Sequence, residues 1–285
     1  MYPYKIFGDF DLYTICITLG AAACLVVFRL LADRLRLSAR LTNLTLAAGV
    51  VGMAAGLGSA VLFQAFYDYL AGYGFFIDEY TGATFYGGLI GGAALFLLVY
   101  FLGGHFLLPR GEARKSFFAT TSLVAVSITL AHACGRIGCF FAGCCHGLPT
   151  TSIFGLYFPA LDTRVYPTQL YEALFLLLLS AFLAMRALRG KRDGFPLYLV
   201  AYGVFRYFIE FLRGDDRGAS PVPFLSPSQL TALVLVAVGF LLFWVESRQK
   251  TPAAEEFAIL PDGEADAAEG EMDSTQAAAE GEAHE

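Results

Sequence analysis

Long apolar runs alternate with short polar breaks along this chain, and the runs have the length that a bilayer demands. A spanning helix needs about 20 mostly apolar residues. Seven segments reach or approach that length, at 12–31, 44–66, 84–102, 117–133, 169–187, 195–211 and 228–245. The pattern predicts an all-α membrane protein with seven transmembrane helices. The sixth run is the shortest, and it carries Arg206 and Glu210. The first run begins near Leu12 with only Lys5 as a basic residue before it, which suits a first span better than a cleaved leader.

Composition agrees with that pattern. Of 285 residues, 57% are hydrophobic and 15% charged, where soluble domains carry about 25% charged residues. The net charge of −6 conceals an uneven distribution. Eleven of the 25 acidic residues follow Lys250, so the preceding body holds 14 acids against 19 bases, about +5. Residues 1–246 are expected to form the membrane domain, and 247–285 an acidic, disordered cytoplasmic tail. Nothing in the pattern points to nucleic acid.

Basic residues orient the spans. Arg34, Arg36 and Arg40 follow the first, Arg110, Arg114 and Lys115 the third, and Arg186, Arg189, Lys191 and Arg192 the fifth. Segment 67–83 has acids but no base. Basic loops stay in the cytoplasm, so the N-terminus is expected outside and the C-terminus inside. Segment 134–168 then lies on the outer face, following the fourth helix as a loop of about 35 residues.

Charges inside the runs mark candidate chemistry, because a charge at the bilayer centre costs at least about 2.5–3.5 kcal/mol. Glu172, Arg206 and Glu210 lie in the runs, and Arg136 lies beside one. Arg206 and Glu210 stand four apart and can pair on one helix face, with Arg213 nearly on the same stripe. That arrangement serves as an internal salt bridge, or as a phosphate site built from Arg136, Arg206 and Arg213, since guanidinium matches phosphate oxygens bidentately. Thr168 is a plausible N-cap for a helix whose first turn carries Gln169 and Glu172. In YGGLIGG, 86–92, Gly87 and Gly88 permit close helix packing or the approach of a lipid headgroup beside Tyr86.

The densest chemistry is HACGRIGCFFAGCCHG, 132–147, with four cysteines and two histidines. It lacks a C-x2-C pair, so its spacing does not call for a metal. A metal site, a disulfide of Cys139 with Cys144 or Cys145, a nucleophilic Cys144 or Cys145 activated by His146 or His132, and plain helix-end packing all stay open.

Three motifs then occur in order: GRIGCFFAGCCHG at 135–147, YPTQLYEA at 166–173 and GVFRYFIEFLRGDDR at 203–217, with YGGLIGG before them and SPSQL at 226–230 after. Together they resemble the prolipoprotein diacylglyceryl transferase family over roughly residues 8–246. The resemblance implies a bacterial inner-membrane enzyme with its active site toward the outer face. Its substrates would be phosphatidylglycerol and the lipobox peptide of a preprolipoprotein. The diacylglyceryl group would pass to the lipobox cysteine thiol, a thioether would form and glycerol phosphate would leave, with no cofactor implied. By the same resemblance Arg136 and Arg206 would hold phosphate charge, with Glu210, Tyr13 and Tyr86 at the catalytic centre. Gly138, Gly147, Gln169 and Glu172 would line the substrate. The family pattern departs here at three places: Cys139 stands at its asparagine, Cys144 at its acidic residue and Tyr86 at its histidine. A relative acting on another lipid or thiol acceptor, or a thiol-redox or metal-binding module on the same scaffold, would fit those departures.

Overall fold

A computed structural model describes residues 5–7, 10–70, 72–78, 81–82, 84–214, 222 and 224–248 of the chain. The acidic tail expected from residue 247 lies, from 249 on, outside the described residues.

Eight helices carry the chain: α1 (Leu12–Arg34), α2 (Ala39–Leu70), α3 (Phe85–Leu107), the short α4 (Glu112–Lys115), α5 (Phe117–Ala142), α6 (Thr168–Leu188), α7 (Gly194–Ile209) and α8 (Pro227–Arg248). All but α4 are long and apolar enough to cross a membrane, with α7 prolonged to Leu212 by a 3-10 turn. Two short antiparallel hairpins, β1 (Lys5–Phe7) with β2 (Phe10–Asp11) and β3 (Leu156–Phe158) with β4 (Thr163–Val165), and a 3-10 turn at Pro159–Leu161 complete the described structure.

Local signals explain the helix ends. Asp11 caps α1 by accepting from the Thr14 amide at 2.7 Å. Gly143 ends α5 in the left-handed conformation (φ 76°), and its neighbour Cys144 donates back to the Cys139 carbonyl at 3.2 Å while Gly143 donates to Phe140 at 3.1 Å. That is the Schellman closure for which glycine is suited. α6 begins at Thr168 with Pro167 at its cap. Thr168 is therefore not the N-cap its sequence suggested; its hydroxyl instead donates to the Cys145 carbonyl at 2.9 Å.

α5 is the central helix. It packs against α1, α6 and α7, while α2 pairs mainly with α3 and α7 with α8. More than half of α5's spanning window is buried, at 61%, against 11% for α3. The outward faces of the other helices carry Leu30, Leu57, Leu178 and Phe240, all exposed as lipid-facing residues are. The α2–α3 seam is a contact of backbones. A Cβ on Gly56 would meet the Gly88 carbonyl at 3.2 Å, and one on Gly92 the Gly52 carbonyl at 3.0 Å. Small residues let helices approach this closely where water gives no drive to associate.

One boundary differs from expectation in a way that matters. The fourth apolar run was expected to end at 133, yet α5 continues to Ala142. Arg136, Gly138 and Cys139 thus ride on a helix rather than an outer loop. His132 and Arg136 interrupt the apolar run, but they lie on the protein-facing side of α5, where polar partners satisfy them.

Candidate functional site

The site is assembled where α5, α6 and α7 meet. Glu172 is on the second turn of α6 and is fully buried. Arg136 Nε on α5 lies 3.0 Å from Glu172 Oε1. The contact is an ion pair without hydrogen-bond alignment. Tyr202 on α7 donates its hydroxyl to the same Oε1 at 2.7 Å. His132, one turn before Arg136, places Nε2 at 3.8 Å from Glu172 Oε1 and packs edge-on against Tyr202. Tyr198 stacks on Tyr202 with centroids 5.8 Å apart and reaches His132 Nδ1 at 3.4 Å. The four-residue spacing of Tyr198, Tyr202 and Arg206 sets all three on the face of α7 that looks into the bundle.

Arg206 continues this stripe. Its Nη2 stands 2.7 Å from Glu210 Oε2 and donates to Ser228 Oγ of α8 at 2.9 Å. Ser226 holds the other Glu210 oxygen at 2.8 Å, and Arg213 Nε approaches Oε2 at 3.9 Å. Arg206, Glu210 and Arg213 are all buried. The charge of Arg206, like that of Arg136, acts on the Glu172 carboxylate. The two guanidiniums therefore share one polar centre. Within it Glu172 Oε2 and Arg206 Nη1 are buried and have no hydrogen-bond partner among the described residues. Burying such groups unsatisfied is costly, so they mark a place for a polar ligand.

The cysteine loop is built onto the same corner. Gln169 Nε2 donates to the Cys144 carbonyl and Thr168 to that of Cys145. Gly147 bridges to Arg213, and a Cβ on Gly147 would stand 2.5 Å from the Leu212 carbonyl oxygen and 2.7 Å from Tyr166 Cβ. Cys145 takes a left-handed backbone (φ 60°), a conformation uncommon for a non-glycine residue. These constraints gather the sulfurs of Cys139, Cys144 and Cys145 within 4.8 Å of one another. All six cysteines are free thiols. Hydrogen bonds from the Cys139 and Cys144 thiols, with a further one from Arg213, bring the Cys145 thiol well below the usual thiol range, against the opposing effect of burial.

Other sequence candidates fall as follows. Tyr13, on the first turn of α1, lies against Gly138: a Cβ there would meet its ring at 3.3 Å. Tyr13 is within electrostatic range of the three thiols and of Arg136. Tyr86 is tied to α8 through Thr231 Oγ1 at 2.7 Å and the Pro227 carbonyl at 3.2 Å. Tyr86 and Arg206 thus both contact the first turn of α8. The glycines after it serve the α2 seam. A Cβ on Gly87 would meet Phe63 at 2.5 Å and one on Gly88 the Gly56 carbonyl at 3.2 Å. His146, one of two histidines considered as a base for a cysteine nucleophile, is not among the residues clustered with the three sulfurs. The chain turn at Cys145 carries its ring against Phe158, with Nδ1 3.2 Å from the Gly147 carbonyl.

Sequence reasoning missed Tyr202, Tyr198, Ser226 and Ser228 as members of the centre. The i, i+4 spacing of Tyr198, Tyr202 and Arg206 was the available signal.

A seven-span helical bundle with a guanidinium–carboxylate centre between its inner helices defines a polytopic membrane protein with buried charge at its core. A family model described as prolipoprotein diacylglyceryl transferase matches residues 4–245, and the chain belongs to that family. A phosphatidylglycerol–prolipoprotein diacylglyceryl transferase of Clostridium tetani is 36% identical over 181 residues, 61% of this chain and 68% of the relative. A transferase of Clostridium perfringens named as the second of its kind is 35% identical over 175 residues, 59% and 64% of the two chains. A Chlorobaculum tepidum transferase is 36% identical over 178 residues, 59% and 57%. The aligned part thus spans between about half and two thirds of these relatives.

Proposed function

We propose that this protein transfers the diacylglyceryl group of phosphatidylglycerol to the lipobox cysteine of a preprolipoprotein in a bacterial inner membrane. The observation that carries the proposal is two buried guanidinium–carboxylate pairs on neighbouring helices, Arg136 with Glu172 and Arg206 with Glu210, with Arg206 Nη1 lacking a hydrogen-bond partner among the described residues. The phosphodiester of the donor lipid would occupy that vacancy, gripped by Arg136 and Arg206. As the acceptor sulfur attacks the diacylglyceryl carbon, the carbon–oxygen bond to phosphate breaks. Negative charge then grows on the departing glycerol phosphate. Preorganised cations in a site sheltered from water stabilise that growth more than the ground state. Glu172 and Glu210 hold the two guanidiniums in position, and Tyr202, Ser226 and Ser228 hold the carboxylates or the guanidinium in turn. Gln169 and Thr168 shape the cysteine loop beside it.

The basic loops argue for an external N-terminus and internal C-terminus, which places the centre and segment 134–168 toward the outer face. The membrane domain, expected over 1–246 and carried to Arg248 by α8, acts as the catalytic unit. A fluorescent protein fused to the C-terminus should therefore fluoresce, and a periplasm-dependent reporter there should stay silent. The direct test is purified protein with phosphatidylglycerol vesicles and a lipobox peptide, read by mass spectrometry for the thioether product. Product is expected from the native chain and not from Arg136→Ala. Absence of product from the native chain under both reducing and oxidising conditions refutes the assignment.

A further inference from the structure

We infer that Cys139, Cys144 and Cys145 form a three-sulfur zinc site whose open fourth position takes the acceptor thiol and presents it as a thiolate beside the Arg136–Arg206 centre. This deepens the transferase reading and rests on it for the role, though not for the metal.

Zinc accepts four ligands in tetrahedral geometry, and catalytic sites use three from the protein and leave one open. The three sulfurs already lie within 4.8 Å of one another. Zinc–sulfur bonds of about 2.3 Å set tetrahedral sulfurs about 3.8 Å apart, so side-chain rotation closes the difference. Cys144 is exposed and the other two half-buried, which leaves a route for ion and acceptor. His146, turned toward Phe158, is not the fourth ligand in this arrangement.

The surroundings suit such a site. Three thiolates and a zinc ion carry one negative charge, and an acceptor thiolate adds another. Arg213 lies within electrostatic range of Cys145, and Arg136 within range of Cys139 and Cys145. The loop is fixed from behind by Gln169 and Thr168, and Cys145 is kept in a left-handed backbone. Strained backbone of this kind persists where the surrounding structure determines it, and it gathers at functional sites. Spacing alone argued against a metal because Cys139 and Cys144 are five apart. The Schellman closure at Gly143 folds that interval back on itself.

The chemistry needs such a group. A cysteine thiol with pKa about 8.5 is mostly protonated at neutral pH, and His146 is turned away. On binding zinc, the acceptor thiol loses its proton to water. Its sulfur then attacks the diacylglyceryl carbon, the carbon–sulfur bond forms, and the carbon–oxygen bond to phosphate breaks. Glycerol phosphate leaves with the bonding pair, the neutral thioether dissociates from zinc, and no electron is exchanged with another reagent.

The test uses the full chain, purified under reducing conditions and loaded with cobalt as a spectroscopic substitute for zinc. Thiolate-to-cobalt charge-transfer bands are expected at one ion per chain, and a lipobox peptide should strengthen them as a further sulfur joins. A peptide with serine in place of the acceptor cysteine should not. Cys139→Ser, Cys144→Ser and Cys145→Ser should each weaken zinc binding by about 10–100-fold or more, the range seen even for outer-shell changes, and Cys24→Ser should not. Absent bands, or bands indifferent to the peptide, overturn the inference without reference to activity. So does a Cys139–Cys144 or Cys139–Cys145 disulfide found intact in an active enzyme. Full transfer by protein shown to be metal-free overturns it while leaving the transferase assignment standing. Loss of product on chelation, with recovery on adding zinc, supports it.

Discussion

Replacing Glu172 with Gln separates the two tasks of the buried centre, holding the bundle together and holding the substrate. The carboxylate is fully buried, 3.0 Å from Arg136 Nε, and accepts from Tyr202 at 2.7 Å. At an effective dielectric of about 20, the attraction across 3.0 Å is about 5–6 kcal/mol before desolvation. Measured losses on breaking a buried pair are about 3–5 kcal/mol, because the surviving charge is left uncompensated. Glu172→Gln should therefore lose about 3–5 kcal/mol in reversible unfolding in mixed detergent micelles, since the amide keeps the Tyr202 bond but not the ion pair. Adding Arg136→Met removes the stranded charge and should return stability to within about 1–2 kcal/mol of the native protein. Activity follows a different course: the double variant should remain inactive in the thioether assay, as half the phosphate grip is gone. If Glu172→Gln unfolds within about 1 kcal/mol of the native protein, the ion pair is not the buried keystone described above. A stable double variant that still forms product would refute the assignment of Arg136 to phosphate.

Tyr202→Phe removes a hydrogen bond to a charged acceptor and should cost about 1.5–3 kcal/mol in the same unfolding assay, with the helical circular dichroism unchanged. Gly147→Val forces a side chain to within 2.5 Å of the Leu212 carbonyl. It should loosen the cysteine loop, seen as faster alkylation of Cys144 and Cys145 in mass spectrometry. Gly88→Leu, at the α2–α3 seam, should lower thermal stability by overpacking worth about 1–3 kcal/mol yet leave the product identity unchanged. Tyr86→Phe tests whether the phenol does chemistry. Because its hydroxyl is engaged with Thr231 and Pro227, kcat should fall only a few-fold, and a loss of about 100-fold or more would mark it as an acid or base.

The seven spans were legible because a bilayer imposes a length and an apolarity that few other environments require. Arg206 with Glu210 was legible as well, since four residues on a helix define a pair without further folding. What the sequence concealed depended on contacts between helices. Arg136 was set in an outer loop because His132 and Arg136 ended the apolar run, although α6 and α7 supply them with Glu172, Tyr202 and Tyr198. Thr168 had the composition of a cap but faces the Cys145 carbonyl. The cysteines looked too widely spaced for a cluster until the turn at Gly143 reversed the chain. That glycine, just past the last helical position, was the local cue that a helix ended there rather than at Ala133.

An unsatisfied donor group links the buried centre to the proposed donor lipid. Arg206 Nη2 is engaged by Glu210 and Ser228, while Nη1 is buried with no hydrogen-bond partner among the described residues. Leaving a buried polar group unsatisfied costs about 1–3 kcal/mol, and more where the group is charged. A phosphodiester oxygen at Nη1 would remove that cost and form a charge-assisted bond. The grip on the proposed donor then depends on the fork of the guanidinium as well as on its charge, and lysine at 206 would keep the charge and lose the match.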